Sequence, residues 1–241
     1  MARDGAILVL KTGEALPSVK ARFDDFEAWI AKGVGVSISD LVLASAYAGE
    51  PLPDPASIGG VIVTGSPAMV SAREDWSEAA AAWLAPLVEN DALPVLGICY
   101  GHQLIAHGLG GQIRPNPNGR EMGTVETRLD AAALATDPVL NAGVYPTHMS
   151  HVESVVVPPS DAQVLGTTEI EPHAALRFGP RQWGVQYHPE FDREIMRGYV
   201  EARRDILAGE GLDPDGMLES AVETPEATGL LRRFAEVVAS V

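Results

Sequence analysis

The sequence has one cysteine in 241 residues and about half as many basic side chains as acidic ones, 17 against 33. A single cysteine excludes an internal disulfide and fits a reducing compartment. The net charge of −16 repels phosphate backbones, so nucleic acid is not an expected partner. No run of like charge is long enough for a disordered acidic tail, and the acidity serves solubility. Long hydrophobic runs are missing too. The first apolar run, residues 6–10, is too short for a signal-peptide core, and the longest, residues 79–88, contains Pro86 and cannot span a bilayer. No membrane segment is expected, and the chain reads as cytoplasmic. There is no P-loop: Gly108-Leu109-Gly110-Gly111 lacks the Lys-Ser/Thr pair and follows a helix, so it reads as a helix end and turn. Internal repeats and low-complexity segments are absent.

What remains is a chain 46% hydrophobic, enough for a full core. Residues 6–10 read as a buried strand. Residues 17–31 read as a helix, with Phe23, Phe26, Trp29 and Ile30 at helical spacing. Residues 39–45 read as a second strand. Val61-Ile62-Val63-Thr64 is a third, breaking at Gly65-Ser66-Pro67. An Ala-rich helix over 75–89 leads to a strand at Leu93-Pro94-Val95-Leu96 and a helix to about residue 109. This is the βαβ rhythm of a parallel, doubly wound sheet. After Gly111 the segments 124–129, 153–157, 163–167, 174–178 and 182–187 are short and β-rich, as expected of an antiparallel extension, and residues 192–207 return to helix. The expected fold is α/β, with helices on both sides of a mostly parallel open sheet that carries an antiparallel extension. Residues 1–208 form one domain. Residues 209–241 form a helical extension in which Gly211-Leu212-Asp213-Pro214-Asp215-Gly216 is turn chemistry. Leu230, Phe234, Val237, Val238 and Val241 mark one helical face, docked on its own domain or offered to a partner. The four tryptophans, Trp29, Trp76, Trp83 and Trp183, are expected in the core or in pocket walls.

The cysteine stands in Gly97-Ile98-Cys99-Tyr100-Gly101-His102-Gln103. A lone cysteine is more often a packed core residue. Here two glycines flank it and a strand precedes it, the pattern of a nucleophile elbow on a tight strand-to-helix turn. That turn aims the sulfur at a helix N-terminus, where free N–H groups and the dipole favour thiolate and a developing oxyanion.

A thiol nucleophile needs a base, and the base an orienting group. His188 closes the alternating run Gln182-Trp183-Gly184-Val185-Gln186-Tyr187, and Pro189 prevents the strand from continuing. It therefore lies at a strand end, where functional residues of open α/β sheets gather. Glu190, two residues on, is placed to accept from the second ring nitrogen.

The run G-I-C-Y-G-H-Q followed by H-P-E resembles the class I, triad-type glutamine amidotransferase domain, closest to the glutaminase domain of guanosine monophosphate synthetase. The resemblance runs from about Ala6 to about Leu207. Thr64-Gly65-Ser66-Pro67 is similar to the family's oxyanion strand, with Ser66 where glycine is usual. Ser150-His151-Val152-Glu153-Ser154-Val155 is similar to its S-H-x-D-x-V segment, with Glu153 where aspartate is usual. The resemblance implies a flavodoxin-like three-layer sandwich and the following roles. Cys99 attacks the γ-amide, His188 moves the proton and Glu190 orients His188. The N–H groups of Ser66 and Tyr100 form an oxyanion hole, with Gly65 allowing close approach. Gln103, Ser150, His151 and Val152 hold the substrate.

The implied reaction is hydrolysis of glutamine, or of a γ-glutamyl compound, through a thioester to glutamate and ammonia, with no cofactor and no metal. Two histidines, His148 and His151, stand three apart with Glu153 beyond, but no third ligand has supporting spacing. His102 and His107 follow the elbow on its helix, where packing suffices to explain them. Amidotransferases usually pass ammonia to a synthetase domain, and this chain shows no ATP-binding motif. Three readings stay open: a stand-alone hydrolase, a glutaminase subunit feeding a separate synthetase chain, or a catalytically idle binding domain.

Overall fold

The computed structural model describes residues 5–240; Met1–Asp4, beside the first apolar run, and Val241, assigned above to the terminal helix face, lie outside them. The strands in chain order are β1 (Ile7–Lys11), β2 (Val42–Ser45), β3 (Gly60–Val63), β4 (Val95–Ile98), β5 (Gln112–Pro115), β6 (Glu121–Leu129), β7 (Gly143–His151), β8 (Glu153–Val157), β9 (Gln163–Thr167), β10 (Ala175–Gly179) and β11 (Gln182–Val185). The helices are α1 (Pro17–Phe23), α2 (Phe26–Val34), α3 (Asp75–Glu89), α4 (Tyr100–Gly108), α5 (Arg193–Ala202), α6 (Arg204–Gly209), α7 (Pro214–Ser220) and α8 (Pro225–Ala239).

Nine strands form one sheet in the order β2-β1-β3-β4-β11-β10-β9-β6-β7. The first five are mutually parallel and the pairings from β11 outward are antiparallel. β5 and β8 pair separately. Parallel neighbours need crossovers, and the helices that supply them cover both faces. Strands β1, β3, β4 and β11 are therefore apolar on both sides. Ile7, Val9, Ile62, Leu96, Trp183 and Val185 pack toward α2 and α8, whereas Leu8, Val61, Val63 and Val95 pack toward α3 and α4. The expected three-layer α/β architecture is what forms, with the antiparallel extension on one side. It places four loops side by side at the carboxyl edge of the sheet, after β1, β3, β4 and β11.

Several elements differ from expectation. Residues 17–31 are two helices, not one. Asp24 takes φ +69°, and Asp25 caps α2 by accepting from the N–H groups of Phe26 and Ala15, both at 2.9 Å. Apolar periodicity runs unbroken across this joint because Phe23 and Phe26 both face inward. The helix read over 192–207 likewise breaks, at Arg203. Residues Ile38–Asp40 form a 3-10 turn, with the Asp40 carboxylate accepting from the Ser37 N–H at 3.2 Å, so β2 starts only at Val42. β7 tolerates Pro146 because it is an edge strand. The turn residues near 213 are a helix N-cap: Asp213 Oδ1 accepts from the Gly216 N–H at 3.1 Å, opening α7. On α8 Leu230, Leu231, Phe234 and Val238 are buried and Val237 is half-buried, all against the α2 side of the sheet. No helix among the described residues is long and apolar enough to cross a membrane.

Candidate active site

Cys99 follows β4, the strand between β3 and β11, at φ +49°, ψ −99°. A side chain in that region is strained by about 1–3 kcal/mol and persists only where its surroundings dictate it. They do. The Cys99 N–H donates to Val185 O at 2.8 Å on β11, and the Gly101 N–H donates to Thr64 O at 3.1 Å at the end of β3. A Cβ on Gly97 would stand 2.6 Å from the Gly101 carbonyl, and one on Gly101 would collide with Val63 O. The two glycines let helix α4 start directly on top of the sheet, and the sulfur is thrown to the carboxyl edge.

His188 lies three residues past β11 and is anchored by its N–H to His148 O at 2.8 Å. Its Nδ1 meets Glu190 Oε1 at 2.8 Å, with both side chains buried. The Phe191 ring stacks on the imidazole at 4.1 Å and 14°, fixing its plane. The other ring nitrogen, Nε2, is left free of Glu190, and the charge of Cys99 acts on the ring. Burial alone would push the imidazole pKa down, but the charges of Glu190 and Cys99 outweigh it and raise it to about 10. The proton of this site therefore rests on His188 at neutral pH.

The loop after β3 reaches the same place. Thr12 Oγ1 donates to Gly65 O at 3.0 Å, and the Thr12 N–H donates to Thr64 Oγ1 at 3.0 Å, so the turns after β1 and β3 are locked together. A Cβ on Gly65 would approach His188 Cε1 to 2.9 Å. Ser66 is not at positive φ, which removes any need for glycine there, and its hydroxyl donates to Thr12 O at 2.7 Å. Neither the Ser66 nor the Tyr100 N–H donates to a protein acceptor among the described residues.

Of the remaining predicted residues, Ser150 O lies 3.9 Å from Cys99 Sγ, and Gln103, His151 and Val152 line the same cleft. The Gln103 side chain is already engaged, its Nε2 donating to Glu153 O at 2.7 Å and Gln186 Oε1 at 2.9 Å. The His151 ring is turned into the protein, between Glu121 Oε2 at 3.1 Å and Glu153 O at 2.9 Å. His148, an odd number of positions away on the same strand, points to the opposite face, toward Thr124 Oγ1 at 3.2 Å, so the two rings cannot share an ion. No cluster of three or more metal-ligating side chains occurs among the described residues. His102 packs under Gly184 and Phe178, and burial with the charges of His173 and His151 lowers its pKa to about 3. His107 meets Glu78 Oε1 at 2.8 Å. Trp183 is core, Trp29 packs edge-on to Phe191, and Trp76 stacks on Tyr100.

Sequence reasoning missed Thr12, Phe191, Arg120 and Arg203. A strand-end position marks Thr12, and adjacency to H-P-E marks Phe191, but no local signal marks either arginine. Both line the cleft with Cys99; this cleft has a volume of 40 Å³ and opens to solvent. A larger cavity of 630 Å³ between β6 and α7 lies away from the sulfur and shares only Arg120 with the cleft.

Residues 42–201, well over half of the chain, match the model of the family described as glutamine amidotransferase class-I. The glutamine-hydrolysing GMP synthase of Aeropyrum pernix is 39% identical over 183 residues, covering 73% of this chain and 32% of that protein. The chain thus spans less than a third of the curated relatives it matches first. A glutamine amidotransferase from Thermotoga maritima superposes with TM-score 0.76 at 20% identity, covering 99% of this chain and 100% of that one. A Thermoplasma acidophilum protein described as one component of a GMP synthase does so with TM-score 0.65 at 14% identity, covering 98% and 94%. The buried His-Glu pair set against a strained cysteine thus sits in a chain that belongs to the class-I glutamine amidotransferase family.

Proposed function

We propose that the protein hydrolyses the γ-amide of glutamine, or of a γ-glutamyl compound, with Cys99 as nucleophile, His188 as proton carrier and Glu190 as its orienting partner. The observation that carries this reading is the strained Cys99 elbow at the carboxyl edge of the sheet together with a buried imidazole stacked on Phe191 and braced by a carboxylate at 2.8 Å. The Cys99 sulfur attacks the γ-carbonyl carbon. The oxyanion forms against the unengaged N–H groups of Ser66, in the loop after β3, and Tyr100, at the start of α4. His188 gives its proton to the departing nitrogen, and ammonia leaves as the thioester forms. Water then attacks the thioester, His188 takes a proton from it, and glutamate departs with the thiolate restored. Gln103, Ser150, His151 and Val152 frame the substrate.

Residues 1–208 carry this chemistry, and residues 209–241 are an extension that completes one helical layer. The family's other mode, a glutaminase subunit feeding a separate synthetase chain, is supported by the match to GMP synthases over less than a third of their length and by the fold of the Thermoplasma protein. Retention of cysteine, histidine and glutamate together speaks against an idle domain. Ammonia release from glutamine by the purified chain, alone and with candidate synthetases, tests the reading. Turnover by C99A equal to that of the natural chain rejects it.

A further inference from the structure

Glu153 opens β8 and is buried. A buried carboxyl group is costly unless its oxygens are hydrogen-bonded. Here one residue takes both: Oε2 accepts from the Ser71 N–H at 3.2 Å, and Oε1 accepts from the Ser71 hydroxyl. Ser71 sits in a 3-10 turn, Val70–Ala72, in the loop after β3 that also carries Ser66. That loop therefore has two anchors. Thr12 holds its start, through the Gly65 carbonyl and the Ser66 hydroxyl, and Glu153 holds its end. Between the anchors, Ser66, Pro67, Ala68 and Met69 form part of the wall of the Cys99 cleft. The main chain of Glu153 ties in a third piece. Its carbonyl accepts from Gln103 Nε2, on α4, at 2.7 Å and from His151 Nδ1 at 2.9 Å. One residue thus joins the elbow helix, the end of β7 and the loop with the Ser66 N–H.

We propose that Glu153 is a positioning residue that acts through Ser71 to hold the Ser66 N–H where the oxyanion forms. The role rests on the hydrolytic reading above for the step it serves. A donor N–H stabilises developing charge only if it is fixed before the charge appears. With its far end released, the loop would be tied at Thr12 alone, and the N–H would have to be ordered during the reaction. Reach decides the residue type. Aspartate at position 153 is one methylene shorter, which leaves its oxygens about 1.5 Å further from Ser71 and outside hydrogen-bond range. The longer acid and the turn around Ser71 therefore form one latch. Because the latch steadies a group used in the transition state, its loss lowers kcat and leaves KM nearly unchanged.

The test compares the full chain with S71A, E153Q, E153D and the double variant S71A/E153D, by glutamine kinetics and by hydrogen–deuterium exchange of the segment 67–74. In E153D kcat is expected to fall about 10–100-fold with KM within about twofold. S71A/E153D should be no slower than E153D, because the two side chains act as a unit. E153Q, which keeps one acceptor oxygen at the right reach, should fall less. Exchange at the Ser71 amide should be about 10-fold or more faster in E153D than in the natural chain. Unchanged exchange, unchanged kcat in E153D, or penalties that add in the double variant overturn the proposal. So does a rise in KM with kcat held, which marks Glu153 as a direct substrate contact. If no form hydrolyses glutamine, the hydrolytic reading fails on its own and the exchange result alone upholds or overturns the latch.

Discussion

His188 Nδ1 stands 2.8 Å from Glu190 Oε1, both side chains buried, with the imidazole stacked at 4.1 Å on Phe191. Burial works against the charged ring, and the neighbouring negative charges override it, lifting the pKa to about 10. The proton needed by the leaving nitrogen is thereby held in place across the neutral range. Because the folded value exceeds the ordinary histidine value of about 6.5, this stabilisation is full below that pH and is lost as pH rises through about 10.

The first prediction concerns that upper limit. The kcat/KM profile for glutamine should hold to alkaline pH and fall as His188 loses its proton near pH 10. In E190Q the opposition to burial is weakened, so the same limb should move to lower pH. A pH–rate series on both forms decides it, and a limb that stays put removes Glu190 from the electrostatics of the ring.

Strain at Cys99 gives the second. C99A should abolish turnover and C99G should do the same, but the two should differ in stability. Alanine still carries a Cβ at φ +49°, whereas glycine accepts that backbone, so C99G should be the more stable by about 1 kcal/mol. This reverses the usual Gly-to-Ala order. Urea midpoints of the two variants check it.

Gly65 supports the third. A methyl group there would meet His188 Cε1 at 2.9 Å and the edge of Phe26 at 3.5 Å. G65A should displace the ring and lower kcat on the order of 10²-fold while the far-ultraviolet circular dichroism stays native. Unimpaired kcat in this variant contradicts the close packing of ring on turn.

Buried histidines set acid stability. Burial lowers the pKa of His102 to about 3 and, with the His188 charge, that of His148 to about 4. Both are neutral in the fold and take up protons more readily when it opens. Their contribution is complete above about pH 6.5 and is lost as pH falls toward 4 and 3. His102→Leu should therefore show a shallower loss of unfolding free energy between pH 7 and 5, measured by urea titration at each pH.

The fifth prediction tests the terminal helix. Phe234 is fully buried and meets Trp183 of the central sheet edge-on at 6.4 Å. F234A should cost about 3–5 kcal/mol, the range for truncating a buried aromatic. A cost near zero in chemical denaturation marks α8 as a removable appendage.

Much of the site can be traced to local sequence. Strand-turn-helix around Cys99 follows from two glycines and an apolar run, and the ending of β11 ahead of Pro189 leaves His188 at the carboxyl edge. The His188–Glu190 contact needs a separation of only two residues. Helix joints were hidden for the opposite reason. Phe23 and Phe26 keep an inward rhythm across Asp24, and Val200 and Leu207 are both buried on either side of Arg203, so periodicity alone shows no break at either place.

Order along the chain, turn chemistry and apolar period are properties of neighbouring residues. The amino-acid sequence alone therefore determined the parallel α/β layering, the elbow and the histidine–carboxylate pair. Only the tertiary structure decided that Arg120 and Arg203 stand before one sulfur, that Thr12 locks the Gly65 turn, and that the His148 and His151 rings face apart. Those relations depend on how loops from distant strands meet at the sheet edge and on which side chains burial leaves without partners, and neither is written in any single stretch of chain.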